Sequence, residues 1–569
     1  MIKMKQKYIE YIEAVQVELS QSIVHSDLYS SLKSEMKTLE LLVPVIGGFS
    51  AGKSSLINAF LGEEYLPVEV TPETSLATEL RYSDNERIEA IRSDDTVDKY
   101  DVDEIAVVKN KASEYQYIKV YISNQNIKNI EPLILVDMPG FESPVDLHNQ
   151  AIMQYISKGV HFIVLTSVED GNITYSMMRE LANIQEYGRD FSFFISKVNL
   201  KSINEVQEIS EVIKEQLEDS LDVKKAIVSV GDKGAEELEN ILKTIDTETL
   251  FSNIFKESLE DEYFSIVEKI NTSIVALNKD KESNETTIKE LLLAIEKTKK
   301  KRDNMLLEAE EKYSNNKVDR IIKSVGKELS NSLDELVTVT TISGEEALGS
   351  HISDIMRYSL TSSIKSSIDD IGGMIVNDIT NELSDLNNVM SSFTLDDGWL
   401  DKIGESTEKL FNSANSGLKN ILESRQKRKK QDNIYKAITT VLAVTTSVLV
   451  PVLEIVIIFL PDILSGLLQN YNKNKQKEQI KEHILTSIIP SIKRELSKTL
   501  PIVFKKQVDQ LIIQFTLEFE EKLKEQEQII QEAENKKNNT NKSIEENIEL
   551  YETVIKNITL LFNKNILTT

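Results

Sequence analysis

"GGFSAGKSS", residues 47–55, stands between the apolar run "LLVPVI" (41–46) and the helical pattern "LINAFLG" (56–62). Gly47, four residues, Gly52, Lys53 and Ser54 satisfy G-x-x-x-x-G-K-[ST], with a buried strand before and a helix after, the context that gives this spacing its meaning. Glycines let backbone amides curl around phosphate oxygens with no Cβ in the way, and the start of the helix adds partial positive charge. The whole loop, Gly47, Gly48, Phe49, Ser50, Ala51, Gly52, Lys53, Ser54 and Ser55, reads as a phosphate cradle. Lys53 is expected to face the β and γ phosphates, and Ser54 to ligate Mg²⁺. The competing reading is a glycine-rich turn with an incidental lysine.

Outward from the loop, residues 41 to about 250 alternate short β-branched or aromatic runs with helical stretches. The runs are "LLVPVI", "ATELRYS", "YIKVYIS", "LILVDMP", "HFIVLTS", "FSFFISK" and "KAIVSV". Such alternation predicts an α/β domain with a mostly parallel sheet covered by helices on both faces. Residues 1–40 carry Ile9, Ile12, Val15, Val17 and Leu19 at helical spacing and read as a helix leading into it. Beyond 250 strand signals almost vanish. Val267, Ile270, Ile274 and Leu277, Val508, Ile512, Phe515 and Phe519, and Ile544, Ile548, Tyr551, Ile555, Ile558 and Phe562 follow three-four spacing. Seams of this kind predict long helices packed side by side. The expected divisions are an N-terminal helix (1–40), an α/β head (41–248), helices (249–423), an apolar tip with its flanks (424–481) and returning helices (482–569).

A phosphate loop needs a carboxylate on the Mg²⁺ side, at the end of another strand. "LILVDMPG" supplies Asp137 after four apolar residues, with Gly140 placed for its amide to sense a γ phosphate. Phosphoryl transfer also needs a threonine on a loop that closes on Mg²⁺ and the attacking water. "YLPVEVTPETSLATEL" offers Thr71, Thr74 and Thr78; Thr74 is favoured, Thr71 is second, and Thr78 is expected inside the next strand. An ordinary polar loop is the alternative.

Guanine-specific sites of this class carry [NT]-K-x-D after a strand. "FFISKVNL" keeps Lys197 but has Ser196 and Asn199 at the flanking positions. An Asn accepts one hydrogen bond through its carbonyl and must turn a donor toward the second guanine donor, so a charge-assisted bidentate pair is lost. Weak GTP affinity or relaxed base choice is expected. "VSVGDKG" (228–234) offers Ser229 for the base side.

The composition narrows the function further. Over 569 residues, Lys plus Arg is 66 and Asp plus Glu is 93, a net charge of -27, which argues against general nucleic-acid binding. No Cys is present, which removes disulfide and thiolate chemistry, and the five His, at 25, 148, 161, 351 and 483, lack ligand spacing for zinc. The N-terminus has no apolar core of signal-peptide length.

"AITTVLAVTTSVLVPVL" (437–453) carries no charge, and "IVIIFLP" follows Glu454. Seventeen residues reach about 25 Å as a helix, short of a hydrocarbon core of about 30 Å, and Pro451 interrupts them. Basic flanks, "SRQKRKKQD" (424–432) and "NKNKQKEQIK" (472–481), suit anionic headgroups. A hairpin dipping into one leaflet and a buried hairpin at the end of a helical stalk are the two readings.

"GGFSAGKSSLINAFLG", "LPVEVTPETS", the D-x-P-G element with Met138 at x, and the helical C-terminal half together resemble bacterial dynamin-like proteins of the LeoA type. The motifs cover about 41–235; the helical half is similar in architecture alone. The resemblance implies a GTPase head on a helical neck and trunk with a membrane-binding tip, using GTP/GDP and Mg²⁺. It implies that Ser50 helps hold a monovalent cation, K⁺ or Na⁺, in place of an arginine finger; Lys53 and Thr74, read above from their motifs, complete the expected catalytic set. Phe49 departs from the Gln that eukaryotic members carry there. By the same resemblance, heads pair with one another or with partner dynamin-like subunits, residues 424–481 meet an anionic membrane, and the protein is cytoplasmic and peripherally membrane-associated. A catalytically silent scaffold and a helical pore-forming protein are the alternatives; the latter has no use for Lys53 or Asp137.

Overall fold

The computed structural model describes residues 2–48, 51–67, 76–92, 94, 96–140, 155, 158–186, 189–221, 228–230, 235–390, 448–449, 451–453, 460, 464, 476–539 and 543–567. Its first part is built on a nine-stranded sheet. In chain order the strands are β1 (Leu41–Gly47), β2 (Ala77–Tyr82), β3 (Arg87–Ile91), β4 (Val97–Tyr100), β5 (Tyr117–Ile122), β6 (Leu133–Asp137), β7 (His161–Ser167), β8 (Asp190–Ser196) and β9 (Val228–Val230). Their spatial order is β4-β3-β5-β2-β6-β1-β7-β8-β9. The five pairings β1–β6, β1–β7, β2–β5, β7–β8 and β8–β9 are parallel. Those of β2 with β6, β3 with β4 and β3 with β5 are antiparallel.

β1 is buried at all seven residues, as expected of a run with no polar alternation that lies between two parallel neighbours. Pro44 sits in this central strand at a tolerated place. Val160 donates to the Leu42 carbonyl on the β7 side and Met138 to the Val45 carbonyl on the β6 side, so strand parity turns the missing N–H of Pro44 toward β7. There the ladder with β7 begins only at Val45. Neighbouring Gly159 leaves room for the ring: a Cβ on it would fall 2.9 Å from Pro44 Cγ.

The N-terminal segment, expected as one helix, is two: Lys3–Leu19 and Asp27–Thr38. Serines make the break. Ser22 donates to the Leu19 carbonyl, and Ser26 caps the second helix by accepting from the Tyr29 amide at 3.0 Å. The first helix packs with Thr247–Asn278 and Ile544–Phe562. Glu248 accepts from the Lys3 and Met4 amides at 2.7 Å each, Asn557 donates to Glu18 at 2.8 Å, and Tyr263 stacks on Phe562 with centroids 3.9 Å apart.

Beyond this bundle run the helices Lys281–Ala309, Asn315–Asn331, Leu333–Glu382 and Ile489–Asn539. Val508, Ile512, Phe515 and Phe519 are buried, as their spacing predicts. In Leu333–Glu382 the helix is bent at Gly344, whose φ of 92° and ψ of -170° lie outside the helical region and inside the one glycine favours. This helix meets the head helix Tyr175–Glu186 through buried charges. Arg179 pairs with Glu335 at 2.8 Å, and the fully buried Arg357 pairs with Glu180 and, at 3.0 Å, with Asp354.

Most of the apolar segment 437–468 lies outside the described residues. Val448, Leu449, Val452, Leu453, Leu460 and Leu464 are described, and all six are buried. A Cβ on Gly349 would come within 3.3 Å of Leu464 and 3.8 Å of Leu460, so these leucines pack against the Leu333–Glu382 helix. No helix among the described residues is long and apolar enough to cross a membrane.

Candidate functional site

β1 ends at Gly47, and the next helix, Lys53–Leu61, begins immediately after Gly52. Gly52 has a φ of 84°, a left-handed conformation that turns the chain from strand into helix. Gly47 is required by closeness instead: a Cβ there would lie 2.5 Å from the Leu165 carbonyl oxygen of β7. Phe49 and Ser50 lie outside the described residues. Ala51 donates its amide to the Gly48 carbonyl at 3.2 Å, which closes the loop's second half.

Lys53 is buried and folds back over the loop, its Nζ donating to the Gly47 carbonyl at 3.0 Å and the Gly48 carbonyl at 2.8 Å. Ser54, one residue on, donates to Asp137 Oδ2 at 2.9 Å. Asp137 is the last residue of β6 and lies opposite Val45 in β1 and Thr78 in β2. Its side chain is buried, and Oδ1 has no hydrogen-bond partner among the described residues. An orphaned carboxylate oxygen beside a serine hydroxyl, at the mouth of a glycine loop, is a fitting donor set for a hard oxygen-seeking cation such as Mg²⁺. Met138 and Gly140 continue from β6 and are buried.

Thr78 lies in β2, as its sequence position predicts, with its hydroxyl donating to the Leu76 carbonyl at 3.1 Å. Thr71 and Thr74 lie outside the described residues. On the opposite flank Ser196 ends β8. Its hydroxyl donates to the Ala51 carbonyl at 2.6 Å and also contacts the Thr166 carbonyl at 3.1 Å, so among the described partners it touches the phosphate loop. Lys197 follows with a φ of 57° and pairs with Glu169 at 3.1 Å; Asn199 is exposed in the short turn Val198–Leu200. Ser229 lies in β9, its side chain outside the described set.

One residue of this cluster was not read from the sequence. Lys109 closes the short helix Ile105–Lys109, and its Nζ stands 3.8 Å from Asp137 Oδ2 with both side chains almost wholly buried. Burial pushes its pKa down from the usual lysine value, against the pull of Asp137. The available signal was weak: a lysine at the end of the apolar stretch "IAVV".

Residues 43–198 match the family model described as the Dynamin family. Over 132 residues the chain is 30% identical to Dynamin-like protein 2 of Campylobacter jejuni subsp. jejuni serotype O:23/36 (strain 81-176), across 22% of this chain and 21% of that protein. The chain spans about half or less of the length of the curated relatives it matches. Among solved structures, the LeoA bacterial dynamin GTPase from ETEC is similar at 13% identity, with a TM-score of 0.30 over 99% of each chain. A structure of an oligomerised bacterial dynamin pair is similar at 18% identity, with a TM-score of 0.38 over 100% of this chain and 83% of that one. The family match begins inside β1 and ends two residues past β8, so the stretch similar to the Dynamin family encloses Lys53, Ser54, Lys109, Asp137 and Ser196.

Proposed function

We propose that the protein is a dynamin-like GTPase that binds GTP and GDP, hydrolyses GTP to GDP and phosphate, and couples this cycle to membranes. The observation that carries the reading is the convergence of Lys53, Ser54 and Asp137 at the ends of β1 and β6. Lys53 exchanges its carbonyl partners for the β and γ phosphates, and Ser54 and Asp137 hold Mg²⁺. The metal bound there offsets charge on the phosphate oxygens during transfer. Ser50 holds a monovalent cation, Thr74 orients the attacking water, and the Gly140 amide meets the γ phosphate. Ser196, Lys197, Asn199 and Ser229 line the base side, with base choice relaxed by the missing carboxylate at Asn199.

The domain plan belongs to the same proposal: a head at 41–248 carried by helices from both sides, a trunk, and an apolar tip between basic flanks at 424–481. The buried state of Val448, Leu449, Leu460 and Leu464 means that a membrane can meet this segment only after it leaves its protein packing. Head-to-head pairing, partner dynamin-like subunits and a cytoplasmic, peripherally membrane-associated location complete the reading.

Phosphate release by wild type and Lys53→Ala, with K⁺ and Mg²⁺ present, tests the chemistry. Turnover is expected to fall by two or more orders of magnitude, on the order of what a lost charge stabiliser at phosphate costs. Equal turnover in the variant would sink the assignment.

A further inference from the structure

A lysine in the interior is costly, and among the described residues this one is poorly repaid. The ammonium of Lys109 is buried, and its distance of 3.8 Å to Asp137 Oδ2 is that of a charge pair rather than a hydrogen bond. A methionine of similar length would suit the fold as well or better. Topology brings it there. Ile105 and Val108 anchor the short helix in the core, and the chain then enters β5, whose parallel partner β2 sets Thr78 directly against Asp137. The stretch before β5 is thereby laid over the carboxylate end of β6, and the lysine reaches the one carboxylate of the proposed metal site. Ser54 donates to the same oxygen, Oδ2, at 2.9 Å, while Oδ1 is left without a described partner.

We propose that Lys109 is a built-in cation of the phosphate site, which offsets the charge of Asp137 so that a guanine nucleoside diphosphate binds with little help from Mg²⁺. The proposal rests on the nucleotide reading above. Asp137 serves a bound Mg²⁺, but in the metal-free state it is a negative charge facing negative phosphates in a poorly screened interior. Lys109 cancels that repulsion without occupying the metal's place. The same ammonium competes electrostatically with Mg²⁺, so it weakens metal binding and loosens the dependence of nucleotide affinity on metal. Lys109 is a positioning and charge-balancing residue here; it need not touch the nucleotide.

The test measures binding rather than turnover: the Kd of a fluorescent GDP for the full chain in EDTA and in saturating Mg²⁺, for wild type, Lys109→Met and Lys109→Arg. Wild type is expected to differ by less than about threefold between the two conditions, and Lys109→Met to bind about tenfold or more weakly in EDTA while recovering in Mg²⁺. Lys109→Arg, which keeps the charge, is expected to follow wild type. A Lys109→Met protein with the wild-type melting temperature and the wild-type ratio of the two Kd values overturns the proposal, as does a Lys109→Arg protein that behaves like Lys109→Met. Should Lys109→Met not fold, Lys109→Gln carries the same comparison. Wild-type protein that binds no guanine nucleotide in either condition overturns the nucleotide reading itself, a result distinct from binding with an unchanged ratio.

Discussion

The Ser196 hydroxyl donates to the Ala51 carbonyl at 2.6 Å, joining the end of β8 to the phosphate loop across 145 residues of chain. The bond is buried and charge-free, and it fixes the distance between the proposed base side and phosphate side of the site. Ser196→Ala leaves the Ala51 carbonyl short of a donor, at a cost of about 1–3 kcal/mol in stability. GDP affinity is expected to fall with it, by isothermal titration. Unchanged melting and unchanged affinity would remove the loop-bracing role.

Asn199 is exposed in the turn after β8. Asn199→Asp supplies a carboxylate for guanine N1 and N2, so GTP affinity is expected to rise, and affinity for XTP, which carries a carbonyl at C2, to fall. A titration with both nucleotides checks this. If neither affinity moves, the turn is not at the base.

Arg357 is fully buried between Glu180 of the head and Asp354 of its own helix. Burial pushes the Glu180 carboxyl above the usual carboxylate range, against the pull of Arg357. Arg357→Met strands two buried acids and is expected to cost about 3–5 kcal/mol by urea unfolding. Adding Glu180→Met and Asp354→Met to it should recover most of that loss, because an apolar set of similar volume satisfies the same space. A triple variant no better than the single one would mean that packing, not charge, is at stake.

Val448 and Leu449 are fully buried. Replacing both with Asp places unpaired charges in the interior, so the melting temperature is expected to drop by many degrees or the protein to precipitate. Liposome co-sedimentation on the same preparation separates the roles of the segment. A variant that melts like wild type yet no longer sediments would mean that these side chains meet lipid rather than protein.

Much of the head was legible in the sequence because the head obeys local rules. β1 is a pure apolar run, Gly47 to Ser54 keep a fixed spacing, and Asp137 ends a strand in the expected way. Seven of the nine strands carry a visible β-branched or aromatic run. The two that do not, β3 with "RIEAI" and β4 with "VDKY", form the outer hairpin, where each strand carries two charged residues, Arg87 and Glu89 in one and Asp98 and Lys99 in the other, and the pattern resembles loop. Lys109 was illegible for a different reason: its place beside Asp137 comes from β2 running antiparallel to β6, a relation between segments far apart in the chain. The burial of Arg179, Glu180 and Arg357 was equally hidden. Charged residues on a helix read as a solvated face until the partner helix is known.

The bend at Gly344 has a mechanical meaning beyond its backbone angles. Glu335 and Arg357 stand on opposite sides of it, yet their partners, Arg179 and Glu180, are consecutive residues. On a straight rod those two positions would be about 33 Å apart, whereas consecutive Cα atoms are about 3.8 Å apart. The two ion pairs therefore work as the jaws of a caliper closed on one head helix, and the opening of the caliper is the angle at a single glycine. A rotation of the Tyr175–Glu186 helix that pulls on one jaw therefore loads that hinge, and the strain falls on the backbone of Gly344.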